Sequence, residues 1–369
     1  MNRLIISISW LAGVHLACGA LAGTEGIPTT APTSKKVRIR GFELESRHLL
    51  VDGIDREYLL FVPSERPNAS DAPPMPLVMM LHGGGGNARQ AADELTEGRW
   101  MELAERDRFS VAFPQGVGNH WNDCRSDDTR VTGAIANDTK FLLKMIDDIA
   151  GALPINSKQI YAAGVSNGGM MSFRLAIELP ERLAAVCSCV GSVAANSECR
   201  TPTTPVPILY MVGTNDPLMP YGGGPIAPSA RNPLGRGTVL SAMQTLDFWR
   251  TVNHADATPT IEHLPDSNKD DDSYVVITAW RPDLSDADPA RTGGTASGET
   301  GSHTRRTQKN ADASGVTAEV VYYEMIGGGH GWPGGRQHGL LYQRIVGRKN
   351  LDFNATDETW KFFSRHAKQ

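Results

Sequence analysis

The serine at position 166 stands in a setting typical of a hydrolytic nucleophile. Residues 164–168 run Gly-Val-Ser-Asn-Gly, a G-x-S-x-G element. The apolar run Gln159–Ala163 precedes it and the helical stretch Met170–Leu179 follows it, which predicts the strand–turn–helix context that such a nucleophile needs. The glycines permit a tight turn, and the turn puts Ser166 at a helix N-terminus, where the dipole favours developing negative charge. A purely structural turn is the alternative interpretation.

A glycine-rich loop follows the apolar strand Leu77–Leu81 and is the candidate oxyanion hole. Residues 82–86 run His-Gly-Gly-Gly-Gly. Ester hydrolysis passes through a tetrahedral oxyanion, which preorganised N–H donors must stabilise. We expect these donors from Gly83 and Gly84 and from Asn167, the residue after the nucleophile. Phosphate binding is disfavoured because no Gly-Lys-Ser/Thr follows the loop, and His82 itself is expected to form hydrogen bonds within the loop.

Candidates for the base and for its orienting acid also follow predicted strands. Asp216 comes directly after Ile208–Val212, and His330 lies in a glycine-rich loop after Glu319–Ile326. The chain order Ser, Asp, His is that of α/β-hydrolases. We therefore predict that Ser166 is the nucleophile, that His330 is the base and that Asp216 orients it, a mechanism that requires no metal or cofactor. The alternatives are an incidental histidine in a surface turn and a turn-forming or helix-capping aspartate.

The elements around these residues predict an α/β fold, with a mainly parallel sheet and helices on both faces. Short apolar strands alternate with amphipathic helices, as expected for strands covered on both sides. The remaining strands are predicted at Ser110–Phe113 and Ala184–Val190, and the other main helices at Thr139–Leu153 and Thr238–Val252. An antiparallel hairpin, Arg47–Val51 with Tyr58–Val62, is predicted to open the domain around Asp52-Gly53.

The amino-terminal residues and one internal segment differ in composition from this pattern. Residues 1–22 combine a basic start, an apolar stretch and a small-x-small cleavage signal, which predicts a signal peptide and a secreted or periplasmic protein without a stable membrane anchor after cleavage. An uncleaved N-terminal anchor is the alternative. We expect a flexible lead-in at 23–45, a single α/β-hydrolase domain at 46–366, and a disordered polar insertion at about 265–313.

The cysteines and the overall charge add further expectations. In an oxidising compartment Cys124, Cys187, Cys189 and Cys199 could form disulfides by three pairings. Cys187 and Cys189 are poorly placed to bridge each other because they lie two apart in a strand. A short loop that closes Cys199 onto one of them is one alternative that stays open. The formal net charge of −5 argues against a nucleic-acid partner.

Taken together, the motifs resemble the secreted polyhydroxybutyrate depolymerases, feruloyl esterases and acetylxylan esterases. The resemblance runs from about Arg47 to Arg365 outside the insertion, and it rests on the segments 81–86, 164–171, 213–221 and 328–335. It implies the triad of Ser166, Asp216 and His330, and it implies that Trp332 and Trp121 lie near the substrate. Departures from the family pattern are the insertion and the lone Cys124 in its loop.

The function implied is that of a secreted serine esterase acting through an acyl-enzyme. Its substrate would be a small or polymeric ester, either polyhydroxyalkanoate oligomers or the feruloyl and acetyl esters of plant polysaccharide. Two alternatives stay open: a serine peptidase with the same triad, and a non-catalytic binding protein on a hydrolase scaffold. A non-catalytic protein on this scaffold would be expected to lack a triad member, and none is missing from the sequence. The oligomeric state is not determined by the sequence.

Overall fold

The computed structural model describes residues 35–64, 73–128, 136–227, 235–282, 316–335, 337 and 339–368. The predicted signal peptide at 1–22 and the part of the predicted insertion from 283 onward lie outside these described residues. The described part, 265–282, is not the disordered segment expected, because Tyr274–Trp280 forms a strand that pairs with Val320–Ile326. In the part of the chain that is described, no helix is both long enough and apolar enough to cross a bilayer.

A large mixed sheet organises the described residues. The strands are β1 (Lys35–Ile39), β2 (Phe42–Val51), β3 (Ile54–Phe61), β4 (Met75–Leu81), β5 (Ser110–Pro114), β6 (Ile155–Val165), β7 (Ala185–Cys189), β8 (Ile208–Gly213), β9 (Gly224–Pro225), β10 (Thr238–Val239), β11 (Thr260–His263), β12 (Tyr274–Trp280) and β13 (Val320–Ile326). Of these, β9 and β10 form a separate two-stranded sheet, and the others belong to the large one. The helices are α1 (Ala88–Gln90), α2 (Arg99–Asp107), α3 (Asp138–Ala152), α4 (Asn167–Glu178), α5 (Ala242–Val252), α6 (Leu340–Val346) and α7 (Ala355–Phe363).

Parallel strands occupy the centre of the sheet, and antiparallel strands form both edges. Within the described residues the order is β1-β2-β3-β5-β4-β6-β7-β8-β13-β12-β11. The run from β5 to β13 is parallel, whereas the β1–β3 side and the β12–β11 side pair antiparallel. Because the central strands are parallel, their carboxyl ends and the loops that follow them meet at one edge of the sheet.

Helices cover both faces because the central strands are apolar on both sides. Along β4, Leu77 and Met79 belong to the core layer that contains α3, α4 and α5. The alternate residues Val78 and Met80 belong to the opposite layer, which contains α2 and α7. All four side chains are fully buried, as expected for a strand between two helical layers. The predicted α/β fold class is confirmed in this arrangement.

The amino-terminal edge differs from the sequence expectation in one respect. The hairpin is present as β2 and β3, but residues 35–45, expected to belong to the flexible lead-in, form β1 and the start of β2. They are ordered because Ile39 and Leu44 are buried in the α2/α7 layer. The start of α5 is also corrected. Thr238 lies in the short strand β10, and the helix begins at Ala242, where Ser241 forms a capping box with Gln244.

The disulfide joins Cys124 to Cys199, which lie 75 residues apart in the sequence. The open alternative in which a short loop closes Cys199 onto Cys187 or Cys189 is therefore excluded. Both of those cysteines are free thiols, buried in the sheet on β7. Their side chains point into the α2/α7 layer, whereas Cys124 packs in the opposite layer and Cys199 packs against it.

Candidate active site

Ser166 lies on a strained turn between β6 and α4. Its backbone has φ 56° and ψ −122°, a region that costs a non-glycine residue about 1–3 kcal/mol. The flanking glycines are required because the turn packs against other backbone. A Cβ at Gly164 would lie 2.2 Å from the carbonyl oxygen of Gly168, and a Cβ at Gly168 would lie 2.4 Å from that of Leu81. The turn thus presents Ser166 at the N-terminus of α4.

Asp216 and His330 lie together because β8 and β13 are parallel neighbours in the sheet. Asp216 follows β8, His330 follows β13, and His330 Nδ1 is 2.6 Å from Asp216 Oδ2. The second carboxylate oxygen of Asp216 accepts hydrogen bonds from the backbone N–H groups of Leu218 and Met219, each at 2.8 Å. A carboxylate held in this way has to accept the proton of Nδ1, which leaves the His330 Nε2 lone pair available as a base.

Ser166 and His330 line the same cavity, which has a volume of about 380 Å³ and is also lined by Gly83, Gly84 and Asn167. Among the described residues, no hydrogen bond joins the Ser166 hydroxyl to the imidazole of His330. The structure therefore brings the predicted nucleophile, base and oxyanion loop to one cavity, with the Asp216–His330 pair already formed.

Open N–H donors lie where the oxyanion hole is expected. The N–H of Gly86 donates to Gly83 O, and that of Gly85 donates to Asn119 O. By contrast, no acceptor within the described part of the chain takes a hydrogen bond from the N–H of Gly83, Gly84 or Asn167. These three groups are therefore the candidates for the oxyanion hole.

His82 has the structural role expected from the sequence. Its Nδ1 donates to Gly83 O at 2.8 Å, and its Nε2 accepts from the N–H of Gly116 at 3.0 Å. These partners require the neutral imidazole with its proton on Nδ1. Burial lowers the pKa of His82 to about 4. The ring therefore stays neutral at ordinary pH and anchors the glycine loop.

The two tryptophans expected near the substrate have different positions. Trp332 lines the cavity, and its indole N–H donates to the Thr356 hydroxyl at 3.0 Å. Trp121 is fully buried, does not line the cavity, and donates its indole N–H to His82 O at 2.9 Å. Trp121 is therefore not part of the described cavity wall, because its ring packs against His82 beneath the glycine loop.

Much of the remaining cavity wall was not predicted from the sequence. Apolar side chains come from α4 and from the segment after Asp216: Met170, Leu218, Met219 and Ile226. Charged side chains also line it, namely Glu94, Arg125 and Arg236. The short helix α6 adds Tyr342 and Val346. Leu218 and Met219 follow Asp216 closely and Met170 follows Ser166 closely, and this proximity was the one signal available for them. Glu94 and Arg125 are far in sequence from all three predicted catalytic residues.

Comparisons with known proteins agree with this geometry. Residues 57–215 match the family model described as esterase PHB depolymerase. NocK of Nocardia uniformis subsp. tsuyamanensis, a protein with an esterase name, is 28% identical over 354 residues, which cover 90% of this chain and 92% of that protein. Probable feruloyl esterase C of Aspergillus oryzae is 30% identical over 181 residues, which cover 47% of this chain and 62% of that protein. The predicted family resemblance is confirmed. The chain is an ester hydrolase.

The fold of the esterase is also supported by a solved structure. The acetyl xylan esterase from Aspergillus awamori superposes with a TM-score of 0.51 over 86% of this chain and 98% of that one, at 13% sequence identity. At that identity the likeness concerns the fold alone. The family match spans the glycine loop and Ser166 but ends at residue 215. The roles of Asp216 and His330 in the esterase therefore rest on their geometry.

Proposed function

We propose that this esterase is a secreted serine hydrolase that cleaves carboxylic esters through an acyl-enzyme formed on Ser166. The observation that carries the proposal is the Asp216–His330 pair, 2.6 Å between Nδ1 and Oδ2, whose histidine lines one cavity with the strained Ser166. A histidine held in one tautomer beside a serine on a glycine-flanked elbow is the arrangement that activates a hydroxyl.

In the first half of the reaction the Ser166 hydroxyl oxygen attacks the ester carbonyl carbon while its proton moves to His330 Nε2. The carbonyl π electrons become the oxyanion, which accepts hydrogen bonds from the open N–H groups of Gly83, Gly84 and Asn167. Asp216 stabilises the imidazolium that forms. The tetrahedral intermediate then breaks its C–O bond to the alcohol, which takes the proton from His330.

In the second half water replaces the alcohol. His330 removes a proton from the water as its oxygen attacks the acyl carbon, and the same N–H groups stabilise the second oxyanion. The bond to Ser166 then breaks, and the serine oxygen recovers a proton from His330. The acid leaves, and the enzyme returns to its starting state.

The substrate class follows from the cavity and from the relatives. A volume of about 380 Å³ is at the lower end of small-molecule sites, which suits one acyl unit and the adjoining part of its alcohol. The apolar wall of Met170, Leu218, Met219 and Ile226 favours an uncharged acyl group. The matched relatives are named as feruloyl and acetylxylan esterases, and we propose feruloyl, acetyl or hydroxyalkanoate esters as substrates.

Export of the protein is proposed on two grounds. Residues 1–22 have the composition of a signal peptide. The Cys124–Cys199 disulfide is typical of proteins that fold in an oxidising compartment.

The proposal is tested by initial rates on a panel of p-nitrophenyl acetate and butyrate, methyl ferulate, acetylated xylan and hydroxybutyrate oligomers. Ser166→Ala removes the nucleophile, and Ser364→Ala, an exposed serine at the end of α7, is the matched control. We expect Ser166→Ala to lower turnover by about 10⁴-fold or more, with the control unchanged. Equal rates for wild type and Ser166→Ala on every substrate would refute the proposal, and the best substrate identifies the ester class.

A further inference from the structure

Asn167 supplies one proposed oxyanion donor through its backbone, and its side chain is hydrogen-bonded to the backbone of Trp121. Its Oδ1 accepts from the backbone N–H of Trp121 at 2.8 Å, and its Nδ2 donates to the backbone carbonyl of Trp121 at 2.9 Å. The residue is only 3% exposed. This two-point pairing fixes the orientation of the amide, since reversing it would set two donors and two acceptors against each other.

A buried charge network extends this contact. Nδ2 of Asn167 also donates to Asp123 Oδ2. Asp123 accepts a bidentate pair from Arg125, with Nε at 2.8 Å and an Nη at 2.6 Å. The same Arg125 lies 3.0 Å from Asp128. Each of these three charged side chains is about 1% exposed, so the network is shielded from water and is geometrically rigid.

The position of this network matters because of the backbone strain at Ser166. The angle ψ of Ser166, −122°, sets the plane of the peptide that joins Ser166 to Asn167, and the N–H of Asn167 lies in that plane. A strained conformation persists only where its surroundings over-determine it. If the side chain of Asn167 were released, relaxation at Ser166 would rotate this N–H away from its present direction.

We propose that the Asn167 side chain is a positioning group for the oxyanion hole, clamped by the Trp121 backbone and by the Asp123–Arg125 pair. Through this clamp, the 121–125 segment holds the Ser166–Asn167 peptide in the orientation that stabilises the transition state. The inference rests on the proposed function, because it concerns the same oxyanion. The role is one of orientation, since both polar atoms of the side chain are already bonded to Trp121 and Asp123 and only the backbone N–H serves the reaction.

The test compares kcat and KM per active site, with sites counted by titration with a fluorophosphonate. Asn167→Asp keeps the acceptor for the Trp121 N–H, removes the amide donor and sets a carboxylate against Asp123. We expect kcat per site to fall about 100-fold, the usual loss for a misplaced reacting geometry, with KM within about threefold. The double variant Asn167→Asp/Asp123→Asn restores a hydrogen bond between the two positions and should recover about tenfold.

A matched control lies elsewhere in the chain. Asn253 is also fully buried and makes the same pairing with a backbone, accepting from Val206 N at 3.1 Å and donating to Val206 O at 2.7 Å. Its partner Val206 comes just before β8, so this pair lies at the amino end of that strand, whereas the active site lies at the carboxyl end. Asn253→Asp should lower thermal stability and leave kcat per titrated site unchanged.

The outcomes separate the two proposals. An Asn167→Asp enzyme whose kcat per titrated site equals that of wild type overturns the positioning role, even if fewer sites titrate. If that variant yields no titratable sites, Asp123→Asn, which leaves the Trp121 pairing in place, carries the test: a fall of about tenfold in kcat per site supports the role, and no fall overturns it. Wild-type turnover that does not depend on Ser166 would instead overturn the proposed function.

Discussion

The Asp216→Asn substitution tests the link between the observed hydrogen bonds and the proposed base. Oδ1 of Asp216 accepts from two backbone N–H groups, those of Leu218 and Met219, at 2.8 Å each. An asparagine must keep its oxygen towards these donors, because its NH₂ group would otherwise face two N–H groups. Its NH₂ group then faces His330 Nδ1, at the place where Oδ2 now lies 2.6 Å away.

An NH₂ group at this place reverses the tautomer of His330. The ring nitrogen Nδ1 must then accept a hydrogen bond, and the proton moves to Nε2, where it prevents the ring from accepting the proton of Ser166. In a triad this error lowers kcat by about 10⁴-fold, equivalent to about 5.5 kcal/mol of barrier. Substrate contacts are unchanged, so we expect KM to change little.

The assay is kcat on p-nitrophenyl butyrate with active sites counted by titration, and thermal melting monitors the fold. The chain offers a matched control in a second His–Asp pair, since His48 Nδ1 lies 3.0 Å from Asp55 on the exposed hairpin. Asp55→Asn should leave kcat unchanged. An Asp216→Asn enzyme that retains more than about a tenth of wild-type kcat would refute the tautomer argument and the role given to Asp216.

Two further predictions concern the fold. Burial alone would raise the pKa of Glu319, but hydrogen bonds from His366 and Arg365 outweigh it and lower the pKa from 4.5 to about 2. We therefore expect Glu319→Gln to lower the unfolding free energy at pH 7 by about 3 kcal/mol. The difference between variant and wild type should shrink as the pH falls from about 4.5 to 2, because the wild-type carboxylate becomes protonated. In denaturant titrations, a difference in unfolding free energy that stays constant down to pH 3 would contradict this. Gly168→Ala should abolish turnover and reduce the yield of folded protein, because its Cβ would lie 2.4 Å from Leu81 O. Gly151→Ala, in α3 with no neighbour within 4 Å, should instead melt at the same or a higher temperature, and equal behaviour of the two variants would show that the close approach at the elbow does not matter.

The sequence by itself determined the fold class and the elements that carry the chemistry. Apolar runs of strand length and helical periodicities are local properties, so β4, β6, β8 and β13 were located to within a few residues. The glycines around Ser166 and in the 82–86 loop identify turns, because only glycine allows the backbone to approach so closely. Ser166, Asp216 and His330 each follow a strand of the parallel part of the sheet (β6, β8 and β13), which brought them to one edge of it.

Only the tertiary structure decided which distant segments touch. The Cys124–Cys199 pairing, the burial of Trp121 beneath the glycine loop, and the clamp between Asn167 and the 121–125 segment each join residues about 40 or more positions apart. Local patterns report which face of an element is apolar. The direction of a particular side chain, and the partner that it meets across the core, depend on how all the elements pack together. For that reason Ser166, Asp216 and His330 were evident from the sequence, whereas the burial of Trp121 and the clamp on Asn167 were not.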